Sequence, residues 1–368
     1  MKHEQPYSHL RSLDIVRGLA ALAVFIAHFA QQFLPMNELG WGARAFSLLG
    51  VIGVAIFFVL SGFLIHMGAS RELASKGKIN WRQYGRRRFL RIYPAYLAAL
   101  VGYALLVLHM QSNMVDTVTI KGLVTHLLLI SSFFPTEFHG ISGIFWTVIV
   151  ECHFYLIYPL VFQLIHKLKP IRFFTLAWLI GILFFVASSA LTQAGETRMM
   201  LQMTAPALFW KWALGIVLAE ICINNSLFEL QRYFKHSWLA LPTLVLIFAG
   251  TLTRLPAVEL NYSRFILPFL CFIFLSIVIF SSLRKWRSKL GEWLGDVSYS
   301  VYLWHPLCLA VIATWPLPSL ALNLCASVAL TAAAAVLSHQ FIEKPFMRLG
   351  KSFEPGSRSI KKIQPSNP

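Results

Sequence analysis

Arg17 and His28 stand in one apolar stretch, LDIVRGLAALAVFIAHF (13–29), eleven residues apart. On an α-helix that separation is about 16 Å along the axis and about 20° of rotation, so both side chains belong to one face. A histidine so placed is a candidate for proton chemistry, and the guanidinium a candidate holder of negative charge. Asp14, one turn before Arg17, is positioned to orient or neutralise it. The structural alternative is a snorkelling arginine with a hydrogen-bonded core histidine.

Further chemistry-bearing residues fall in four more segments. Arg86, Arg87, Arg88 and Arg91 precede Pro94, and Arg88 and Arg91 are spaced to share a helix face. Guanidinium groups grip phosphate oxygens in pairs, although a row of arginines also anchors a span among lipid headgroups. Glu151 and His153 lie inside FWTVIVECHFYLIYPL (145–160), where a carboxylate is costly unless it is paired or poised for proton chemistry. His305 precedes Pro306, which frees the Tyr302 carbonyl one turn earlier. Ser61 and Gly62 interrupt GVAIFFVLSGFLI (53–65) with a small-residue step that lets another backbone approach. Lys211 is a further cation in an apolar run, and Glu220, nine residues on, lies about half a turn round the helix, too far for a direct pair.

The elements that must position these groups follow from composition. Of 368 residues, 57% are hydrophobic and 13% charged, with a mean hydropathy of +0.64. Soluble globular, disordered, coiled-coil and disulfide-scaffold classes are excluded by those values, which leaves an all-α polytopic membrane protein. Ten apolar segments are expected to span: 13–34, 47–68, 91–110, 144–165, 173–193, 201–222, 237–253, 265–283, 297–315 and 318–341. The broken apolar piece 122–135 is expected to be re-entrant or interfacial.

Charge placement supports that count. Of 32 Lys and Arg, only Arg44, Lys121, Arg198, Arg254 and Arg264 fall on one side, and Arg17 and Lys211 fall within spans. The remainder lie on the other side, which the positive-inside rule makes cytoplasmic together with both termini. The net charge of +17 therefore reads as topology, and a nucleic-acid partner is not expected. No cleavable leader is expected, because Arg17 sits within the first run. A membrane domain is expected over 1–350, with a polar, basic, disordered cytoplasmic tail over 351–368. The five cysteines (Cys152, Cys222, Cys271, Cys308 and Cys325) lack metal or redox spacing and read as small buried hydrophobes; no metal is expected.

Taken in order, these segments resemble the membrane-bound acyltransferase-3 family over roughly residues 10–350. Its first span resembles LDxLRGxAAxxVxxxH, which Arg17 and His28 fit. GVAIFFVLSGFLI is similar to its second-span signature, and Arg88-x-x-Arg91-x-x-Pro94 to its arginine motif. FWTVIVECHFYLIYPL resembles its WSLxVEEQFYLxYPL segment, while GDVSYSVYLWHPL and FIEKPFMRLGK resemble its last two spans. There are departures: the family's second glutamate is Cys152 here, its glutamine is His153, and its acidic residue before FFVLSG is Ala55.

The resemblance implies an O-acyltransferase in the cytoplasmic (inner) membrane of a bacterium. It would move an acyl group, usually acetyl, from cytoplasmic acyl-coenzyme A to a hydroxyl of a cell-surface glycan or its lipid-linked precursor. Arg86, Arg88 and Arg91 would hold the donor phosphates, and Arg17 would position the donor. His28 would be the base or the acyl acceptor, and Glu151 would engage the sugar acceptor from the outer side. Asp14, Ser61 and His153 would support the site, and His305 would serve the donor path or packing. Some relatives carry a fused extracytoplasmic hydrolase-like domain; this chain leaves no room for one, so transfer is expected to finish on the membrane domain or with a separate partner. The other partners would be membrane lipid and, with the sequence leaving it open, further copies of the chain.

Two other classes would share the buried charges. A transporter predicts repeated spans and broken helices in matching halves, which the sequence lacks. A non-catalytic binder of lipid-linked glycan would tolerate alanine at position 28.

Overall fold

In hydrocarbon every backbone N–H and C=O must be satisfied within its own segment, so the apolar runs fold as helices. The computed structural model describes residues 10–110, 119–249 and 262–352. Its α-helices are α1 (Arg11–Phe33), α2 (Trp41–Lys76), α3 (Trp81–Met110), α4 (Ile120–Leu127), α5 (Phe145–Leu168), α6 (Pro170–Leu191) and α7 (Glu196–Gln202). They continue with α8 (Ala205–Ile223), α9 (Ala240–Ala249), α10 (Leu267–Phe280), α11 (Lys289–Thr314), α12 (Leu320–Ser338) and α13 (Lys344–Ser352). Among the described residues, nine helices are long and apolar enough to cross a membrane. The expected seventh span, 237–253, is the difference: Ser237–Ala249 is apolar but shorter than a crossing, and 250–253 lie outside the described residues. Helical structure runs to Ser352, just past the boundary expected at 350, and the rest of the expected tail lies outside the described residues.

Several helix ends are written locally. The helix α2 stops at Gly77, whose φ of +68° lets its N–H close back on Leu73 O at 2.8 Å. The turn from α5 to α6 is a single residue, Lys169, followed by Pro170 at the first helical position, where its missing N–H costs nothing.

The centre of the bundle is α1, α2, α8 and α11, packed through small residues. A Cβ on Gly295 would stand 2.1 Å from Asp14 O, so α11 and α1 touch backbone to backbone there. The small step at Gly62 does the same work between α2 and α8: its Cβ would stand 2.1 Å from Trp212 O, and one on Gly215 would stand 1.9 Å from Val59 O. The outer helices show the reverse of a soluble pattern. Leu156, Leu183 and Leu241 are 79%, 66% and 70% exposed, a surface fit for lipid tails. Cys325 is exposed on that outer surface, unlike the buried Cys271 and Cys308, so the expectation of five buried cysteines fails there.

Segment 122–135 does not form a span. It is the two-turn α4, capped by Thr119, followed by short 3₁₀ turns at Ser131–Phe133 and Pro135–Glu137. Leu129, at φ +59°, reverses the chain between them. His126 of α4 is buried, and that burial holds its pKa below the ordinary imidazole range.

Candidate active site

The helices α1, α3 and α11 begin at one end of the bundle, and their first halves line a cavity of about 300 Å³ there. Arg17, Arg88, Arg91, Glu151, Ser61, Tyr155 and Ser298 face it. Arg17 donates from Nε to Gly295 O at 3.0 Å and to Ser298 Oγ at 3.2 Å, and from Nη2 to Asp14 Oδ1 at 2.9 Å. Asp14 thus neutralises Arg17 one turn away while leaving further N–H groups on the cavity side. Arg88 lies beside the rings of Tyr84 and Tyr155, 5.9 and 6.0 Å from their centroids. Its buried Nε has no hydrogen-bond partner among the described residues. An orphaned guanidinium donor inside a cavity fits an anionic ligand such as a phosphate. Arg91 shares this cavity, as the spacing from Arg88 predicts, whereas Arg86 does not line it.

Glu151 ends a hydrogen-bonded chain. Trp212 Nε1 donates to Ser61 Oγ at 3.1 Å, Ser61 meets Tyr155 Oη at 2.8 Å, and Tyr155 donates to Glu151 Oε1 at 2.5 Å. Every donor in the chain points toward the carboxylate. Glu151 was expected to approach from the side opposite the arginines. It lies instead in their cavity, about 9 Å along α5 and on the face shared by Thr147 and Tyr155. His153, expected beside it, is turned about 200° round the helix. Its Nε2 donates to Leu129 O at 2.9 Å and its ring stacks on Phe133, so it ties the short α4 segment to α5 and lines neither cavity.

A second cavity, of about 310 Å³, opens toward the opposite end. It is lined by His28 and Gln31 of α1, Lys211 of α8 and Arg264 before α10, among others. Val54, Phe58, Thr147 and Tyr302 line both cavities and form the wall between them. In that wall Thr147 donates to Ile144 O at 2.9 Å, and Tyr302 Oη lies 2.6 Å from Thr147 Oγ1. With the threonine proton committed to a carbonyl, Tyr302 is the donor of the 2.6 Å bond.

His28 and His305 meet at 2.7 Å, Nδ1 to Nε2, with rings nearly parallel at 12°. The neighbouring acceptor fixes their protons. His305 Nδ1 lies 3.0 Å from Val301 O, and a carbonyl can only accept, so Nδ1 carries the proton. A neutral His305 then presents a bare Nε2, His28 donates to it from Nδ1, and His28 Nε2 keeps the lone pair. His305, read from sequence as serving the donor path or packing, is therefore in direct contact with His28. Glu220 is not the partner of Lys211: it pairs with the buried His66 at 2.6 Å, and Tyr158 holds the other His66 nitrogen at 2.9 Å.

Sequence reasoning singled out neither Tyr155, Thr147, Tyr302 nor Arg264. The first three carried a signal: Thr147, Glu151 and Tyr155 are successive i, i+4 positions, and Tyr302 lies three residues before His305. Arg264 had none beyond its count among the outer-side basic residues.

A polytopic helical bundle with an arginine-lined cavity and a contact between His28 and His305 is the frame expected of a membrane acyltransferase. Residues 10–339 match the acyltransferase domain of the acyltransferase-3 family, and the chain belongs to that family. It is 34% identical over 167 residues to Acyltransferase MdmB of Streptomyces mycarofaciens, covering 44% of this chain and 41% of that protein. It is 26% identical over 381 residues to Nodulation protein 10 of Rhizobium leguminosarum bv. viciae, covering 95% of this chain and 96% of the relative. A Staphylococcus aureus protein provisionally named an O-acetyltransferase is 23% identical over 93% of this chain, which spans 58% of its length. No solved structure matches the chain.

Proposed function

We propose that the chain transfers an acyl group, acetyl by preference, from acyl-coenzyme A to a hydroxyl of a cell-surface glycan or its lipid-linked precursor. It does so as a multi-pass protein of a bacterial cytoplasmic membrane with both termini inside. The observation that carries this reading is the pair of cavities sharing one wall, with an orphaned guanidinium on one side and an imidazole lone pair on the other. Arg88 and Arg91 bind phosphate oxygens of the donor at the cytoplasmic end, and the thioester reaches the wall at Val54, Phe58, Thr147 and Tyr302. A cavity of about 300 Å³ takes the reactive arm, and the rest of the coenzyme stays outside it.

His28 acts here as the general base, because it lines the second cavity and not the first. The acceptor hydroxyl gives its proton to His28 Nε2 while its oxygen bonds to the thioester carbon. The C–S bond breaks, the thiolate leaves on the arginine side, and the imidazolium passes its proton to water. Arg17 and Glu151 order the donor cavity, Arg17 by fixing α1 to α11 and Glu151 through its chain from Trp212. The donor is a substrate, and no resident cofactor is required.

Purified protein in nanodiscs, given acetyl-coenzyme A and cell-envelope glycan, is expected to release free thiol and label the glycan. Absence of both thiol release and acetyl-coenzyme A binding would overturn the reading.

A further inference from the structure

Among the described residues, the second cavity carries positive charge with no acidic side chain lining it. Lys211 lies in the second turn of α8, and its ammonium is 5.8 Å from the Trp210 ring centroid. Arg264 lies in the turn before α10, and its guanidinium is 5.2 Å from the Phe185 centroid. Among the described residues, neither makes an ion pair or hydrogen bond. Both line the cavity that holds His28. The other polar side chains lining it include Gln31, Ser47, Gln202 and Ser263, all neutral.

An apolar membrane domain gains nothing from two unpaired cations facing one cavity, since each is costly until an anion meets it. At the other end Arg17 has Asp14 at 2.9 Å and Arg87 has Glu72 at 3.0 Å, while the orphaned Arg88 donor awaits an anionic ligand. By the same reasoning the second cavity is a site whose counter-ion arrives with the ligand. Two cations match a phosphate ester, which carries between one and two negative charges at neutral pH, better than a single carboxylate.

We infer that Lys211 and Arg264 bind a phosphate group carried by the acceptor, so that the acceptor of the reaction is a phosphorylated or diphosphate-linked sugar. Binding of that phosphate holds the sugar hydroxyl at His28 Nε2. The inference rests on the second cavity being the acceptor site. It adds the chemical class of the acceptor, and it implies a preceding reaction that attaches the sugar to phosphate.

The test compares wild type, Lys211→Gln, Arg264→Gln and the double variant in a phosphate-free maltoside detergent. The probes are a sugar 1-phosphate, a polyprenyl diphosphate-linked sugar, the methyl glycoside of the same sugar, its uronic acid and inorganic phosphate. Direct binding is measured without acyl donor, and acceptor KM is measured with acetyl-coenzyme A. The expected result is tighter binding of the phosphorylated sugars than of the methyl glycoside. Kd and KM for them should rise about tenfold or more in each variant, and the preference for the phosphorylated sugars over the methyl glycoside should be lost. Inorganic phosphate should compete in wild type and not in the double variant. Thiol release with no preference for phosphate, or a preference for the uronic acid, overturns this inference and leaves the transferase reading standing. Variant-sensitive phosphate binding without any thiol release upholds the anion site while the transferase reading fails.

Discussion

His28 Nδ1 lies 2.7 Å from His305 Nε2, on two helices that run side by side in the same direction. That contact sets which nitrogen of His28 is basic. The acceptor of the second His305 proton position is a backbone carbonyl, so the tautomer is dictated by the α11 backbone and not by a titrating partner.

His305 is therefore a positioning residue. His305→Ala is expected to lower kcat about ten- to a hundredfold while leaving the acetyl-coenzyme A Kd unchanged. His305→Gln, which keeps an acceptor oxygen near His28 Nδ1, should recover part of the loss. Equal losses in kcat and donor affinity would indicate collapse of the α1–α11 contact instead.

Arg88 and Arg91 face the first cavity and Arg86 does not. Arg88→Ala and Arg91→Ala are each expected to weaken acetyl-coenzyme A binding about tenfold or more, with a smaller effect from Arg86→Ala. Titration calorimetry across the three variants decides this ranking. Raising the salt concentration should narrow the gap between wild type and variants.

The chain from Trp212 through Ser61 and Tyr155 to Glu151 should respond as a unit. Tyr155→Phe and Glu151→Gln are each expected to lower activity, and the double variant should cost less than the two losses added together. Additive losses in a double-mutant cycle would mean the two residues act separately.

Gly295→Ala tests the frame itself. Its Cβ would press within 2.1 Å of Asp14 O, so α1 and α11 must separate and Arg17 loses its hold on Gly295 O. A loss of about 1–3 kcal/mol is expected, read as a lower unfolding midpoint in detergent. Gly143→Ala, where nothing lies within 4 Å, should leave the midpoint unchanged.

The spans were legible because one physical demand, satisfying the backbone in hydrocarbon, writes itself over about 20 residues at a time. The shared face of Arg17 and His28 was legible for a related reason: helical periodicity is fixed, and both residues do turn to α11. The pairing of His28 with His305 was not, because 277 residues separate them and no periodicity links separate helices. Glu151 shows the limit most clearly. Its place in the sequence gives its depth along α5, but the cavity it joins depends on how α3 and α5 lean together. The same holds for His66 and Glu220, whose 2.6 Å contact joins α2 to α8.

The claim that transfer depends on the His28 lone pair is tested most directly with His28→Gln, which keeps a polar side chain of similar reach. Acetyl-coenzyme A binding and acceptor-dependent thiol release should be measured on the same preparation. Unchanged donor binding with thiol release lowered at least about a hundredfold is the predicted result. Release at the wild-type rate with donor binding intact would contradict the account and return His28 to a packing role.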